Sequence, residues 1–175
     1  MKNFIIIVFL SLIILSCNEE VTKVKKLEDA TEGADQVSYD FSGYFIDSNY
    51  TKAKLTSKIA RIYNEQRKTV LDSLVKVDFF SKTNGKRITY MEADCVVIDD
   101  NSKNMYAYGK VFVLSDSSKA GLRTNYLFWD NKAQKLFSDK FVTYSSPYER
   151  ISGWGFESDL NLDNYKFKKV SGEQR

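Results

Sequence analysis

Residues 75–91 read VKVDFFSKTNGKRITYM. Val75, Val77 and Phe79 fall on one side of an extended chain, and Lys76 and Asp78 on the other, because successive side chains of a strand point to opposite faces. Asn84-Gly85 separates this run from Ile88–Met91. That dipeptide supplies the positive φ angles a tight hairpin turn demands. The stretch is therefore a half-buried strand, a hairpin turn and a returning strand.

The same grammar continues outward. Short runs of aromatic and β-branched residues are separated by Asp99-Asp100-Asn101, Ser115-Asp116-Ser117-Ser118 and Asp130-Asn131. Residues 57–74 have irregular apolar spacing and are read as strand, turn and strand rather than helix. Leu122, Thr124, Tyr126 and Phe128 alternate with Arg123, Asn125, Leu127 and Trp129, so the second face is only half polar. Shifting Met91–Val113 by about 31 residues lays it on Leu122–Tyr144, with Ala93 on Thr124, Cys95 on Tyr126 and Val97 on Phe128. A fainter copy begins at Leu55-Thr56-Ser57. A repeated two-strand unit cannot cover its own apolar face, so neighbouring units must share one. The expected class is all-β: an antiparallel sheet folded over on itself to enclose an apolar interior, as in a jellyroll.

Composition narrows the chemistry. The chain has 175 residues, 43% hydrophobic, with 11 Tyr and 12 Phe, enough to fill a core. It contains no histidine, which removes His-based nucleophilic and acid–base catalysis and His-ligated zinc together. Its two cysteines, Cys17 and Cys95, make no disulfide framework. Lys and Arg number 26 against 23 Asp and Glu, so the +3 balance describes a mixed, solvated surface and not a nucleic-acid stripe. Asp94, Asp99 and Asp100 lack the spacing of a calcium loop, and Asp99-Asp100-Asn101 reads as a turn. Cys95 has no His partner and reads as a buried thiol. No phosphate-cradling loop, metal or cofactor is expected, and the chain reads as no enzyme.

The N-terminus, MKNFIIIVFLSLIILSC, carries Lys2 and then an apolar run from Phe4 to Leu15. That run is about the length of a signal h-region and short of a spanning helix. Ser16-Cys17 resembles the end of a bacterial lipoprotein signal, which makes residues 1–17 the signal and Cys17 the acylated anchor. The alternative is an uncleaved membrane anchor. Either exports the rest of the chain. Residues 18–38 are charged, small and free of bulky aromatics, and read as a tether reaching roughly 70 Å when extended. The folded domain is expected over 39–175.

Asp78-Phe79-Phe80, Asn84-Gly85, Ala107-Tyr108-Gly109-Lys110-Val111, Gly121-Leu122-Arg123-Thr124 and Trp129-Asp130 occur in this order, followed by Ile151-Ser152-Gly153-Trp154-Gly155-Phe156. This ordered set resembles the LptC family of the lipopolysaccharide export machinery over about residues 50–172. The resemblance implies an open, boat-shaped β-jellyroll at the periplasmic side of the inner membrane. It implies that lipopolysaccharide arrives from an inner-membrane ABC transporter and leaves for a periplasmic bridge protein of the LptA type. Energy would come from the transporter's ATPase. The lipobox departs from the transmembrane anchor that members often carry.

Carrying lipid A acyl chains requires a groove, because exposing a chain of about 12–14 carbons costs roughly 10 kcal/mol at ~0.8 kcal/mol per CH₂. The alternating positions propose its lining: Val75, Val77, Phe79, Met91, Cys95, Val97, Met105, Val111, Val113, Leu122, Tyr126, Phe128, Leu136 and Val142. Such a face also serves as an ordinary sealed core, which would make the protein a structural or protein-interaction lipoprotein. Gly153 and Gly155 flank Trp154 and read as a bend or bulge before a last strand, Leu160 to Val170. Leu162, Tyr165 and Phe167 on that strand are the expected partner edge, with Phe41 to Phe45 at the other end. Lys166, Lys168 and Lys169 form a basic cluster there, suited to lipid phosphates or simply solvated.

Overall fold

The computed structural model describes residues 33–174. The expected signal, Cys17 and most of the tether lie outside the described residues. Each apolar–polar alternation seen in the sequence becomes a strand, and each polar cluster a turn. The strands are β1 (Gln36–Asp47), β2 (Tyr50–Tyr63), β3 (Lys68–Phe80), β4 (Arg87–Asp99), β5 (Met105–Ser115), β6 (Gly121–Asp130), β7 (Lys135–Ser145), β8 (Arg150–Asp159) and β9 (Tyr165–Gln174). Strand β1 begins before Tyr39, inside the expected tether, and β9 begins at Tyr165 rather than Leu160.

The strands form one 9-stranded antiparallel sheet in strict sequence order. Strands β1 and β9 do not pair with each other, so the sheet stays open. Residues 57–74 form the end of β2, a turn and most of β3.

A line of β-bulges crosses the sheet. The register shifts at Thr56/Ile59, Asp72/Val75, Glu92/Cys95, Tyr108/Val111, Thr124/Phe128 and Ser138/Phe141. A bulge bends its strand and disturbs the side-chain alternation. Along β2, β4, β6 and β8 the buried positions jump from Ser57 to Ala60, Ala93 to Val96, Thr124 to Leu127 and Gly153 to Phe156. Along β3, β5 and β7 they run from Leu71 to Val75, Ala107 to Val111 and Ser138 to Val142. The line is therefore a crease through neighbouring strands. Hydroxyls at the crease donate to carbonyls there: Ser57 to Ile59 O at 2.9 Å, Thr124 to Phe141 O at 2.9 Å and Ser138 to Tyr126 O at 2.7 Å.

The crease folds the sheet into two layers. Phe79, near the end of β3, packs tilted against Trp129, near the far end of β6, with ring centroids 5.1 Å apart. Lys52 at the start of β2 bonds Asn131 Oδ1 in the β6–β7 turn at 3.0 Å. Thr89 at the start of β4 donates to Leu160 O beyond β8, and Ser118 donates to Asn161 O at 2.7 Å. The core between the layers includes Leu55, Leu71, Val77, Phe79, Met91, Val96, Met105, Val113, Leu127, Trp129, Leu136 and Leu162. Burying each large apolar side chain contributes roughly 1.5–3 kcal/mol.

Candidate functional site

Most of the expected lining faces the interior. Val75, Val77, Phe79, Met91, Met105, Val111, Val113, Leu122, Leu136 and Val142 are all between 0% and 2% exposed. They come from β3 to β7, and the alternation that marked them places them on one face.

Cys95, Val97, Tyr126 and Phe128 lie on the other face, contrary to the sequence expectation. The bulge between Glu92 and Cys95 carries Val96 and Ile98 inward and leaves Cys95 and Val97 on the half-buried outer side. The bulge after Thr124 does the same for Leu127 and Trp129 against Tyr126 and Phe128. On that outer face Phe128 lies between Tyr106, at 5.0 Å, and Phe137, at 6.0 Å. Tyr126 packs at 5.4 Å on Tyr108, and burial raises its phenol pKa. A depression of about 450 Å³ lies against Tyr108, Tyr126, Phe128 and Phe137. Cys95 is a thiol with its pKa pushed up, first by burial and then by the Asp72 carboxylate.

The expected partner edge divides. Gly153 and Gly155 sit in β8 at the crease, Gly155 with φ of 70°. A Cβ on Gly153 would collide with the backbone carbonyl of Lys169 in β9, so this glycine lets the last strand approach. Leu162 is no edge residue. It lies in the β8–β9 connection, fully buried at φ 60°, and Tyr144 donates to its carbonyl at 3.2 Å. Tyr165 and Phe167 stand on β9, half-buried against the core. Tyr165 packs at 4.2 Å on Tyr144 and its hydroxyl reaches Glu149 Oε1 at 2.5 Å. Phe167 meets Phe156 at 5.2 Å.

The interior is filled by its own side chains, and its partly open margin lies elsewhere. Phe41 and Phe45 on β1, Ile88 on β4 and Tyr165 and Phe167 on β9 are the half-buried residues packed against the core. A cleft of about 670 Å³ runs from Trp154 and Gly155 past Phe156 to Phe167, with Lys166, Lys168 and Glu157 along it. Lys135 pairs with Glu157 at 2.5 Å and holds its carboxyl below the usual range.

An apolar interior and an open, folded sheet agree with the comparison to known proteins. The family model described as "Lipopolysaccharide-assembly, LptC-related" matches residues 4–172. The chain belongs to the LptC family. Membership gives it a role in lipopolysaccharide transport and a place in the cell envelope. No curated protein matches the chain. The LptC match spans the apolar N-terminal run as well as every strand core, so the aromatic and glycine residues quoted from the sequence fall within it.

Several interior residues of this LptC domain escape a reading of the sequence: Leu71, Val96, Ile98, Leu127, Trp129 and Phe156. Extending the alternation through the bulge sets Leu127 and Trp129 on the outer face, where they do not lie. The signal that finds them is the polar residue just after the last buried position, Asp94 in β4 and Asn125 in β6. Among the described residues no helix is long and apolar enough to cross a membrane, and no cluster of metal-binding side chains occurs.

Proposed function

We propose that this domain shields lipopolysaccharide acyl chains between its two layers, without catalysis. It takes them from the permease of an inner-membrane ABC transporter and passes them at the β9 edge to a bridge protein of the LptA type. The observation that carries this reading is an apolar core that reaches two edge strands, each with one free edge, through half-buried aromatics, Phe41 and Phe45 on one and Tyr165 and Phe167 on the other. The free edge of such a strand adds a partner by β-augmentation. Entry of a chain requires the layers to part, since the lining is closed in this structure. The gain of ~0.8 kcal/mol per CH₂ removed from water offsets the packing between the layers that parting gives up. Lys166 and Lys168 border the cleft at β9 and suit the lipid phosphates.

Residues 1–17 export the chain as a lipoprotein signal, and Cys17 anchors it to the periplasmic side of the inner membrane through its acyl groups. Globomycin or Cys17→Ser is expected to block processing. Unchanged processing in both would leave the uncleaved anchor.

The closed packing of the interior favours a second reading, a sealed sandwich acting in protein contacts. A photo-crosslinking residue separates the two. At Phe79 it is expected to capture lipopolysaccharide in cells, and at Tyr126 or Phe128, on the outer face, it is not. Capture from neither side, with normal lipopolysaccharide delivery after depletion, selects the sealed sandwich.

A further inference from the structure

The cleft on the outer side of β7, β8 and β9 follows from spacing along β8. Trp154 and Glu157 both border it, three residues and roughly 10 Å apart at ~3.3 Å per residue. Gly155 between them puts no side chain in the gap. A Cβ there would lie 2.7 Å from the Lys168 side chain, whose stem passes across the glycine. Strand pairing extends both walls: Phe137 and Lys166 flank Glu157, while Phe141 and Lys169 flank Trp154. Phe137, on β7, also borders the neighbouring depression at Tyr126 and Phe128 and stands between the two hollows. Trp154 is 40% exposed yet held in place. Phe141 meets it at a steep angle with ring centroids 4.8 Å apart, and Lys169 Nζ lies 5.6 Å from its ring. The carboxylates of the cleft already have cations, Glu157 in Lys135 and Asp139 in Lys140 at 3.4 Å. Among the described residues Lys166 and Lys168 form no salt bridge, so positive charge is in surplus there.

We propose that this outer cleft binds a phosphorylated saccharide, the sugar portion of lipopolysaccharide, with a sugar ring against Trp154 and its phosphate at Lys166 and Lys168. The identity of the sugar rests on the lipopolysaccharide-carrying reading. The lining disfavours simpler occupants. A hydrocarbon would take Asp139 and Glu157 out of water and return nothing. Inorganic phosphate would leave the aromatic wall unused. An extended peptide joins a sheet through main-chain hydrogen bonds, and those of β7 and β8 are already spent on neighbouring strands. A sugar ring offers an apolar C–H side to the indole and hydroxyls that both donate and accept, which the carboxylates and ammonium groups answer. Lysine meets the phosphate as a point charge. Phe156 and Phe167, which pack in and against the core, border the same cleft. One molecule can therefore keep its acyl chains at the core margin and its sugar outside. The sugar occupies a face and a partner strand an edge, so β9 accommodates both.

The chain has 2 Trp, and Trp129 is 1% exposed, so acrylamide quenching of the full-length protein reads chiefly Trp154. The probes are the phosphorylated saccharide left when alkali strips every acyl chain from lipopolysaccharide, the same saccharide after phosphatase, and inorganic phosphate. The phosphorylated saccharide is expected to shield Trp154 saturably, and the dephosphorylated one to bind about fivefold more weakly, the ratio an exposed ion pair supplies. Inorganic phosphate at the same concentration is expected to leave the quenching unchanged. Lys166→Gln with Lys168→Gln, both at exposed positions, is expected to remove the preference for phosphate. Trp154→Leu keeps an apolar side chain but no flat ring, and by titration calorimetry is expected to weaken both saccharides. Tyr108→Ser, in the neighbouring depression, is expected to change neither. Absence of shielding overturns the inference. So do equal affinity for the two saccharides, a preference that survives the lysine changes, unchanged binding in Trp154→Leu, weakened binding in Tyr108→Ser, or shielding by inorganic phosphate. Capture of lipopolysaccharide at Phe79 without shielding of Trp154 leaves the interior reading standing and sinks the cleft. Shielding without capture does the reverse.

Discussion

Asp94 in β4 occupies the space above Gly109 in β5. Its carboxylate accepts the backbone N–H of Lys110 at 3.1 Å, and a Cβ on residue 109 would lie 2.6 Å from Asp94 Cβ. Gly109 has φ of 86°, a region that costs other residues about 1–2 kcal/mol. Steric collision adds to that strain. Gly109→Ala is expected to destabilise the domain by at least about 2 kcal/mol in urea denaturation. Combining it with Asp94→Ala is expected to recover the share of the collision made by the carboxylate and to leave the Cβ contact and the backbone part, a non-additive pair. Full additivity would mean the carboxylate does not crowd this glycine.

Leu162 tests how the end of the core is sealed. Its φ of 60° is strained for leucine, while its side chain is fully buried. Relief of strain in Leu162→Gly is worth about 1–2 kcal/mol, against a loss of roughly 2–5 kcal/mol for emptying a buried leucine site. The packing loss is larger, so a lower melting temperature is expected. A rise would show that the connection, rather than the core, sets stability here.

Acid stability follows from Asp116. The Arg87 guanidinium, at 2.8 Å, holds its carboxyl below the ordinary range, and Asp78 shares the same arginine at 3.1 Å. A depressed carboxyl binds fewer protons in the folded state than in the unfolded one. Its contribution is therefore complete above the unfolded value of about 4 and is lost as pH falls through the lower folded value. Asp47, Asp99 and Glu157 are shifted the same way. Melting temperature is expected to fall from about pH 4 downward, and Asp116→Asn to flatten that fall. Parallel curves for the two proteins would exclude the pair as a source.

Cys95 provides a chemical check on which face its residue occupies. It is half-buried on the outer side, beside Asp72, whose carboxylate is itself paired with Arg61 at 3.0 Å. With its thiol pKa raised, Cys95 in a Cys17→Ser chain is expected to alkylate several-fold more slowly than free cysteine at about pH 8, yet without global unfolding. A rate that tracks global unfolding in urea would place the thiol in the core instead.

The strands were legible because polar residues interrupt apolar ones at every second place, as in Val75-Lys76-Val77-Asp78-Phe79. The even spacing through the bulges of β5 and β7 kept the inner face legible there, but in β4 and β6 it was legible only up to the bulge. Beyond it, Cys95-Val96-Val97-Ile98 and Tyr126-Leu127-Phe128-Trp129 are apolar at every position, so hydrophobicity cannot distinguish one face from the other. A one-residue slip then reverses the whole assignment. The repeat contained the missing information, since it aligned Ala93 with Thr124 and Asp94 with Asn125 on either side of the slip. Leu162 was unreadable for another reason: its burial comes from a connection folding back on the core, with no period to announce it.

The crease has a mechanical consequence. Each layer keeps its own hydrogen-bonded ladder on its side of the bulges, and the layers touch mainly through side chains. Swinging one half away from the other, like a shell about its ligament, leaves nearly all the backbone bonding intact. Work against that motion is then set chiefly by how well Phe79 and its neighbours grip across the gap, so single side chains there tune how readily the shell gapes.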